Sequence, residues 1–236
     1  MQLRAKKNDH GIVAVGSPTD AYIPHEATYK LTEGFLKLFL QYKFPVFIIT
    51  KSTLIIRDID LLKQIDTTAI LPEDLKDSLN RGPILSVSIS TMDDDICNML
   101  EPGAAKPLER LKIMQQLKAE GFLVGVNAMP LLPFISDTNI ELEKIIAAAK
   151  EYGADYILTG GLTLFGNDVA DSKTLYYKFL ERYDASLIAK YDNLCKGLFY
   201  PPRQYQNDLK TRTEKICTKY NLRTSILKTA GVINFI

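Results

Sequence analysis

Hydrophobic and polar positions alternate between two periods along this chain. Short β-branched runs occur at residues 12–16 (IVAVG), 45–50 (PVFIIT), 84–90 (ILSVSIS), 122–128 (FLVGVNA) and 155–159 (DYILT). Runs of this length and composition predict strands, and the least polar of them predict strands covered on both faces. The first, 12–16, is expected to be short, buried and closed by Gly16. In 84–90 the serines fall on alternate positions, so Ser86, Ser88 and Ser90 are expected to share one strand face.

Between the strands the apolar period lengthens to that of a helix. Positions 31, 35, 38, 39 and 42 form one stripe; Asp58 opens a helix that turns Ile59, Leu62 and Ile65 inward. Residues 72–79 predict a short helix with proline in its first turn. Thr91 and Asp94 fit a capping box for a helix reaching Leu100, and Glu101-Pro102-Gly103 then breaks the chain. Pro107 starts a helix burying Leu108, Leu111, Met114 and Leu117 and stopping at Gly121. Thr138 and Glu141 cap another, which ends at Gly153. From about residue 171 the chain is helical and tyrosine-rich, with one weak late strand candidate at 224–227.

The strand starts are separated by 33, 39, 38 and 33 residues. A strand and its crossover helix occupy about 30 residues or more, so this is the spacing of consecutive βα units. The fold class is α/β: a partial (β/α)6 TIM-like barrel of parallel strands, with a flat doubly wound sheet as second choice. The expected division is a barrel core over 1–170 and a helical carboxyl-terminal extension over 171–236 packed on the same domain.

Totals change this picture little. The 236 residues suffice for one α/β domain, and 46% hydrophobic with 24% charged residues is ordinary for a globular protein. The polar start, MQLRAKKNDHG, lacks a signal-peptide core, and no apolar run approaches the roughly 20 residues that span a bilayer, so a cytoplasmic protein with no membrane partner is expected. Residues 185–236 carry nine Lys or Arg against three acids. That tail could touch nucleic acid, but solvated helix faces are the favoured reading because no arginine-aromatic cluster accompanies the charge. Cys97, Cys195 and Cys217 are too far apart to read as a disulfide framework or a metal site.

Ligands of parallel α/β folds bind at the carboxyl ends of the strands. There this chain carries Ser17, Thr19 and Asp20 after strand one, Lys51 and Ser52 after strand two, Ser88 and Ser90 at strand three, Asn127 on strand four, and Thr159, Gly160 and Gly161 on strand five. An ammonium, a carboxylate and several hydroxyls suit a zwitterionic, hydroxyl-rich ligand. Against that stand plainer roles: Ser88 as a bond inside a sheet-helix interface, Lys51 as a solvated loop lysine, Glu101 as a helix stop. His10 and His25 have no spacing that suggests a metal or a triad.

Five segments in order carry a resemblance: 16–26 (GSPTDAYIPHE), 49–52 (ITKS) with 57–60 (RDID), 86–90 (SVSIS), Glu101-Pro102-Gly103 with Arg110-Leu111, and 130–133 (PLLP). Together they resemble the radical S-adenosylmethionine superfamily, specifically its spore photoproduct lyase-like proteins, over about residues 11–153. The resemblance implies S-adenosylmethionine beside a [4Fe-4S] cluster, a 5′-deoxyadenosyl radical acting on an unknown substrate, and an electron donor such as a flavodoxin or ferredoxin. It implies that Lys51 and Ser88 hold the cofactor's carboxylate end, that Thr19 and Asp20 face its amino group, and that Asn127, Gly160 and Gly161 lie under the adenosyl part.

The chain also departs from that family. The Cys-x3-Cys-x2-Cys cluster ligands are absent, and the first strand here corresponds to the family's second, so the expected barrel lacks its first strand. Either a cluster-bearing amino-terminal segment belongs with this core, or the chain is a non-catalytic relative that binds a nucleoside-type ligand or a protein partner. Gly16-Ser17 stand where the lyases carry a cysteine hydrogen donor, which disfavours thymine-dimer repair; Ala21 and Ile23 replace the usual proline and glutamine of that loop.

Overall fold

The computed structural model describes residues 10–228. Residues 1–9 of the polar start and the end of the basic tail beyond 228 lie outside the described residues. Five strands, β1 (Val13–Val15), β2 (Val46–Thr50), β3 (Pro83–Ser88), β4 (Leu123–Leu131) and β5 (Tyr156–Gly161), form one sheet. Every pairing is parallel and the spatial order is the chain order. A doubly wound sheet reverses its strand order at a switch point. This one does not, and the barrel-type winding follows.

Helices α1 (Glu26–Tyr29) and α2 (Leu31–Gln41) join β1 to β2, and α3 (Ile59–Thr68) joins β2 to β3. Helices α4 (Asp94–Leu100) and α5 (Pro107–Ala119) precede β4, and α6 (Asn139–Glu151) precedes β5. Three more follow: α7 (Ser172–Tyr183), α8 (Ser186–Cys195) and α9 (Arg203–Lys219).

Because side chains alternate along a strand, each strand divides its residues between two faces. Val46, Ile48, Leu85, Val87, Val124, Val126 and Ile157 pack outward under the helices with Leu36, Leu62, Leu111, Met114, Ile145 and Ile216. Burying each such side chain contributes about 1.5–3 kcal/mol. The opposite face is layered. Phe47, Ile84 and Tyr156 join Ile226 and Leu227 in a second apolar cluster. Above it Ser86, Gly125 and Tyr156 stand in register across three strands. A Cβ on Gly125 would lie 2.4 Å from the Tyr156 ring, so only glycine lets that ring cross β4. The Tyr156 hydroxyl then reaches Ser86 Oγ at 2.8 Å, and burial holds the phenol well above its ordinary pKa. The next layer up carries Ser88 beside its register partner Asn127.

Several expectations are corrected. β1 is only half-buried, because it is an edge strand with β2 as its one partner among the described residues. On α2 the buried residues are Thr32, Leu36 and Phe39, while Leu31, Phe35 and Leu38 are exposed. Backbone bonds fix that rotation: Glu26 accepts the Thr32 N–H at 3.0 Å, and the Thr32 hydroxyl donates to the Ala21 carbonyl. Asp58 does stand at the N-cap position of α3, but its side chain makes no capping bond; its buried carboxylate pairs with Arg57, and a 3-10 turn (Thr53–Asp58) capped by Ser52 leads into α3. The 72–79 segment shortens to a 3-10 turn (Glu73–Leu75). Asp93, not Thr91, caps α4, accepting the Asp95 and Ile96 N–H groups; Thr91 accepts the Asp93 N–H. On α5, Leu108 faces solvent and Arg110 is buried. The strand candidate at 224–227 reduces to a single parallel bridge between Tyr156 and Arg223.

Candidate functional site

Chain-ordered parallel strands place all five carboxyl ends on one edge. The first loop there is built on Gly16, whose φ of +90° and 2.0 Å approach of a notional Cβ to the Ile49 carbonyl oxygen both demand glycine. Asp20 then fastens the loop to β2. Its carboxylate accepts the Tyr22 N–H at 2.9 Å, the Thr50 hydroxyl at 2.7 Å and the Lys51 N–H at 2.6 Å. A second fastening lies 6 residues on: Arg57 donates to the Glu26 carboxylate at 2.8 Å and to its carbonyl at 3.0 Å. Burial would raise the Glu26 carboxyl, yet the bonds from Thr32, Arg57 and Glu33 hold it below its ordinary pKa.

A cavity of about 420 Å³ opens at this edge. Thr19, Asp20, Lys51, Ser88 and Asn127 line it, together with Gly161 and Met129. Asn127 is 6% exposed, and its Oδ1 has no hydrogen-bond partner. Its neighbour Ser88 is 5% exposed. A second cavity of about 700 Å³ shares Asp20 and Lys51 with the first and extends between Ile23, Leu54 and the 100–105 loop. Lys51 stands where the two meet.

Ser90 and Gly160 do not line the smaller cavity. β3 ends at Ser88, so the alternation that aims Ser86 and Ser88 does not extend to Ser90. Gly160 is covered by Met129, whose Sδ would be 2.7 Å from a Cβ there. Gly161 takes its place on the cavity, with its N–H donating to Gln206 of α9 at 3.2 Å.

Charged residues behind Lys51 complete the site. Lys51 Nζ is 3.1 Å from Glu101 Oε1, and Glu101 Oε2 is 2.6 Å from Arg110 Nη2. Burial pushes the Glu101 carboxyl up, but Lys51 and Arg110 outweigh it and hold the group below its ordinary value. The signal in the sequence was present in the Glu101-Pro102-Gly103 and Arg110-Leu111 segments; their partner Lys51, 50 residues upstream, was not legible. Nor was Asp137, which accepts the Phe134 N–H at 2.6 Å and the Tyr205 hydroxyl at 2.7 Å and so fixes the loop after β4. Among the described residues no three His, Cys, Asp or Glu side chains converge as a metal site, and no helix is long and apolar enough to cross a membrane.

No family model matches the chain. It is 26% identical over 211 residues to an uncharacterised protein of Mycobacterium tuberculosis, covering 89% of this chain and 57% of that one. It is 26% identical over 148 residues to an uncharacterised protein of Methanocaldococcus jannaschii, covering 62% and 49%. The chain thus spans about half the length of these relatives. In fold it is similar to solved spore photoproduct lyase structures. One variant superposes with a TM-score of 0.60 at 14% identity, covering 93% of this chain and 62% of that one. Another, with bound AdoMet and dinucleoside spore photoproduct, gives 0.59 at 13%, covering 93% and 61%. This chain therefore has the α/β partial barrel architecture of the spore photoproduct lyase fold.

Proposed function

We propose that this chain is the S-adenosylmethionine-binding core of a radical S-adenosylmethionine protein, with its ligand in the 420 Å³ cavity at the strand carboxyl ends. The observation that carries this reading is Asn127. An unpaired buried carbonyl oxygen costs about 1–3 kcal/mol; Asn127 lines the open cavity, and its Oδ1 is buried there without a hydrogen-bond partner. A nucleoside supplies the missing donor from an amine or a ribose hydroxyl. The size agrees, since small-molecule sites run from about 300 to 1,000 Å³.

The other wall residues divide by charge. Lys51 and Ser88 take the amino-acid carboxylate, and Thr19 offers its exposed hydroxyl to the amino group. Asp20 contributes negative potential while its oxygens hold the loop in place. Met129 and Ile49 supply apolar contact for the adenosyl part. When bound, S-adenosylmethionine supplies a sulfonium whose carbon-sulfur bond breaks on one-electron reduction.

An iron-sulfur cluster does not fit the described residues. Cys97 is buried 3.4 Å from Arg110, burial pushes the Cys217 thiol up to about 12, and neither has a second thiol beside it. A cluster would need ligands from elsewhere in a longer polypeptide or from another protein, with an electron donor to match. A cytoplasmic setting suits that chemistry. The second reading, a nucleoside-binding protein without redox chemistry, is favoured by Cys97 being engaged with Arg110 and Glu101.

Calorimetry with S-adenosylmethionine tests the binding claim. One saturable site is expected, weakened about tenfold or more by Asn127→Leu, the size of one buried hydrogen bond with its desolvation. Absence of binding by the unsubstituted chain overturns it. Formation of 5′-deoxyadenosine after anaerobic iron-sulfide reconstitution and reduction would exclude the second reading.

A further inference from the structure

Arg110 touches neither cavity, yet it is the buried centre of the network behind Lys51. Its side chain is 1% exposed. Nη1 donates to the Ser88 carbonyl at 2.7 Å, Nε to the Ala105 carbonyl at 2.7 Å, and Nη2 to Glu101 Oε2 at 2.6 Å. The same Glu101 holds Lys51 through its other oxygen. One guanidinium therefore ties the end of β3, the 101–105 loop and the cavity's ammonium together.

The charges matter as much as the bonds. Lys51, Asp20 and Glu101 border the larger cavity, and Lys51 and Asp20 border the smaller one. Without Arg110, the Glu101 carboxylate would face the Lys51 ammonium with no cation balancing it from behind, in a site that Asp20 already makes more negative. Both oxygens of Glu101 would be free for Lys51, and an incoming carboxylate would be repelled. With Arg110 present, one Glu101 oxygen is taken and its charge is balanced from behind. A charge-assisted pair of this kind is stronger than a neutral hydrogen bond and keeps its geometry when buried.

We propose that Arg110 is a positioning residue that reserves the Lys51 ammonium for the carboxylate of a bound ligand by occupying the second oxygen of Glu101. This rests on the S-adenosyl reading for the ligand's identity, but not for the effect on Lys51.

The test compares S-adenosylhomocysteine with 5′-methylthioadenosine, which lacks the amino-acid end, by calorimetry on the full chain. Arg110→Met is expected to lower the preference for S-adenosylhomocysteine by about tenfold, the size of one charge-assisted hydrogen bond, with methylthioadenosine affinity unchanged. Adding Glu101→Gln removes the unbalanced carboxylate and is expected to restore most of the preference. Equal weakening of both ligands, or no recovery in the double variant, overturns the proposal. Should circular dichroism show Arg110→Met unfolded, Glu101→Gln alone decides: the preference holds or rises, and a fall overturns the proposal. A ligand-free arm follows acetylation of Lys51 by acetic anhydride with peptide mass spectrometry. The rate slows several-fold in Arg110→Met and returns in the double variant; an unchanged rate overturns the proposal. If the unsubstituted chain binds neither nucleoside while this arm behaves as expected, the S-adenosyl reading alone fails.

Discussion

Asp20→Asn separates two roles that the same carboxylate could serve. In the structure the group is a fastening, with Oδ1 accepting from Tyr22 and Thr50 and Oδ2 accepting from the Lys51 N–H. An asparagine amide offers one acceptor oxygen and one donor nitrogen. Whichever way it turns, at least one of those three donors faces a second donor. The 2.6 Å bond to Lys51 N–H is the shortest of the three. A hydrogen bond to a charged group contributes about 1.5–3 kcal/mol, so the join between the first loop and β2 should weaken by about 2 kcal/mol. Converted at 1.4 kcal/mol per tenfold, that is about 30-fold faster local opening. Hydrogen exchange read by mass spectrometry on peptides covering 20–24 and 50–54 measures it directly. Exchange within about twofold of the parent, with affinity for S-adenosylhomocysteine reduced, would refute the fastening and make Asp20 a ligand group.

Three further outcomes are expected. Tyr156→Phe strands the Ser86 hydroxyl in the barrel interior and should cost about 1–2 kcal/mol in urea unfolding; a change under about 0.3 kcal/mol would show that the 2.8 Å bond contributes nothing net. Glu101, with its carboxyl held below the ordinary range, contributes stability that is fully present above the unfolded pKa and lost as pH falls through the folded value. Below about pH 4.5 the parent should therefore lose stability faster than Glu101→Gln, and parallel acid-unfolding curves would contradict this. Among the described residues β1 is paired on one edge only and Leu31, Phe35 and Leu38 are exposed on α2, so the chain should self-associate and Ala14→Lys should reduce association. A monodisperse monomer in light scattering would contradict it.

The strands were legible because their signal is local. Each begins within one residue of the position expected from β-branched runs, and βα spacing implied parallel order. Helix faces were less so. Of the apolar stripe at 31, 35, 38, 39 and 42 only Phe39 and Tyr42 meet the core, because Glu26 and Ala21, outside the helix, hold Thr32 inward. Residues at strand ends could be named from pattern alone, and Thr19, Asp20, Lys51, Ser88 and Asn127 do border one cavity. Ser90 was misplaced because strand alternation lasts only as long as the strand. What pattern could not supply was pairing across the fold: Lys51 with Glu101, Glu26 with Arg57, Tyr156 with Ser86. Those contacts join segments that sequence shows only as separate motifs.

The most direct measurement is a crystal structure of the chain grown with S-adenosylhomocysteine. The expected result is the nucleoside in the 420 Å³ cavity, with Asn127 Oδ1 accepting a hydrogen bond from it and its carboxylate at Lys51. A ligand lodged only in the 700 Å³ cavity, or an Asn127 carbonyl still without a partner in the bound state, would contradict the account.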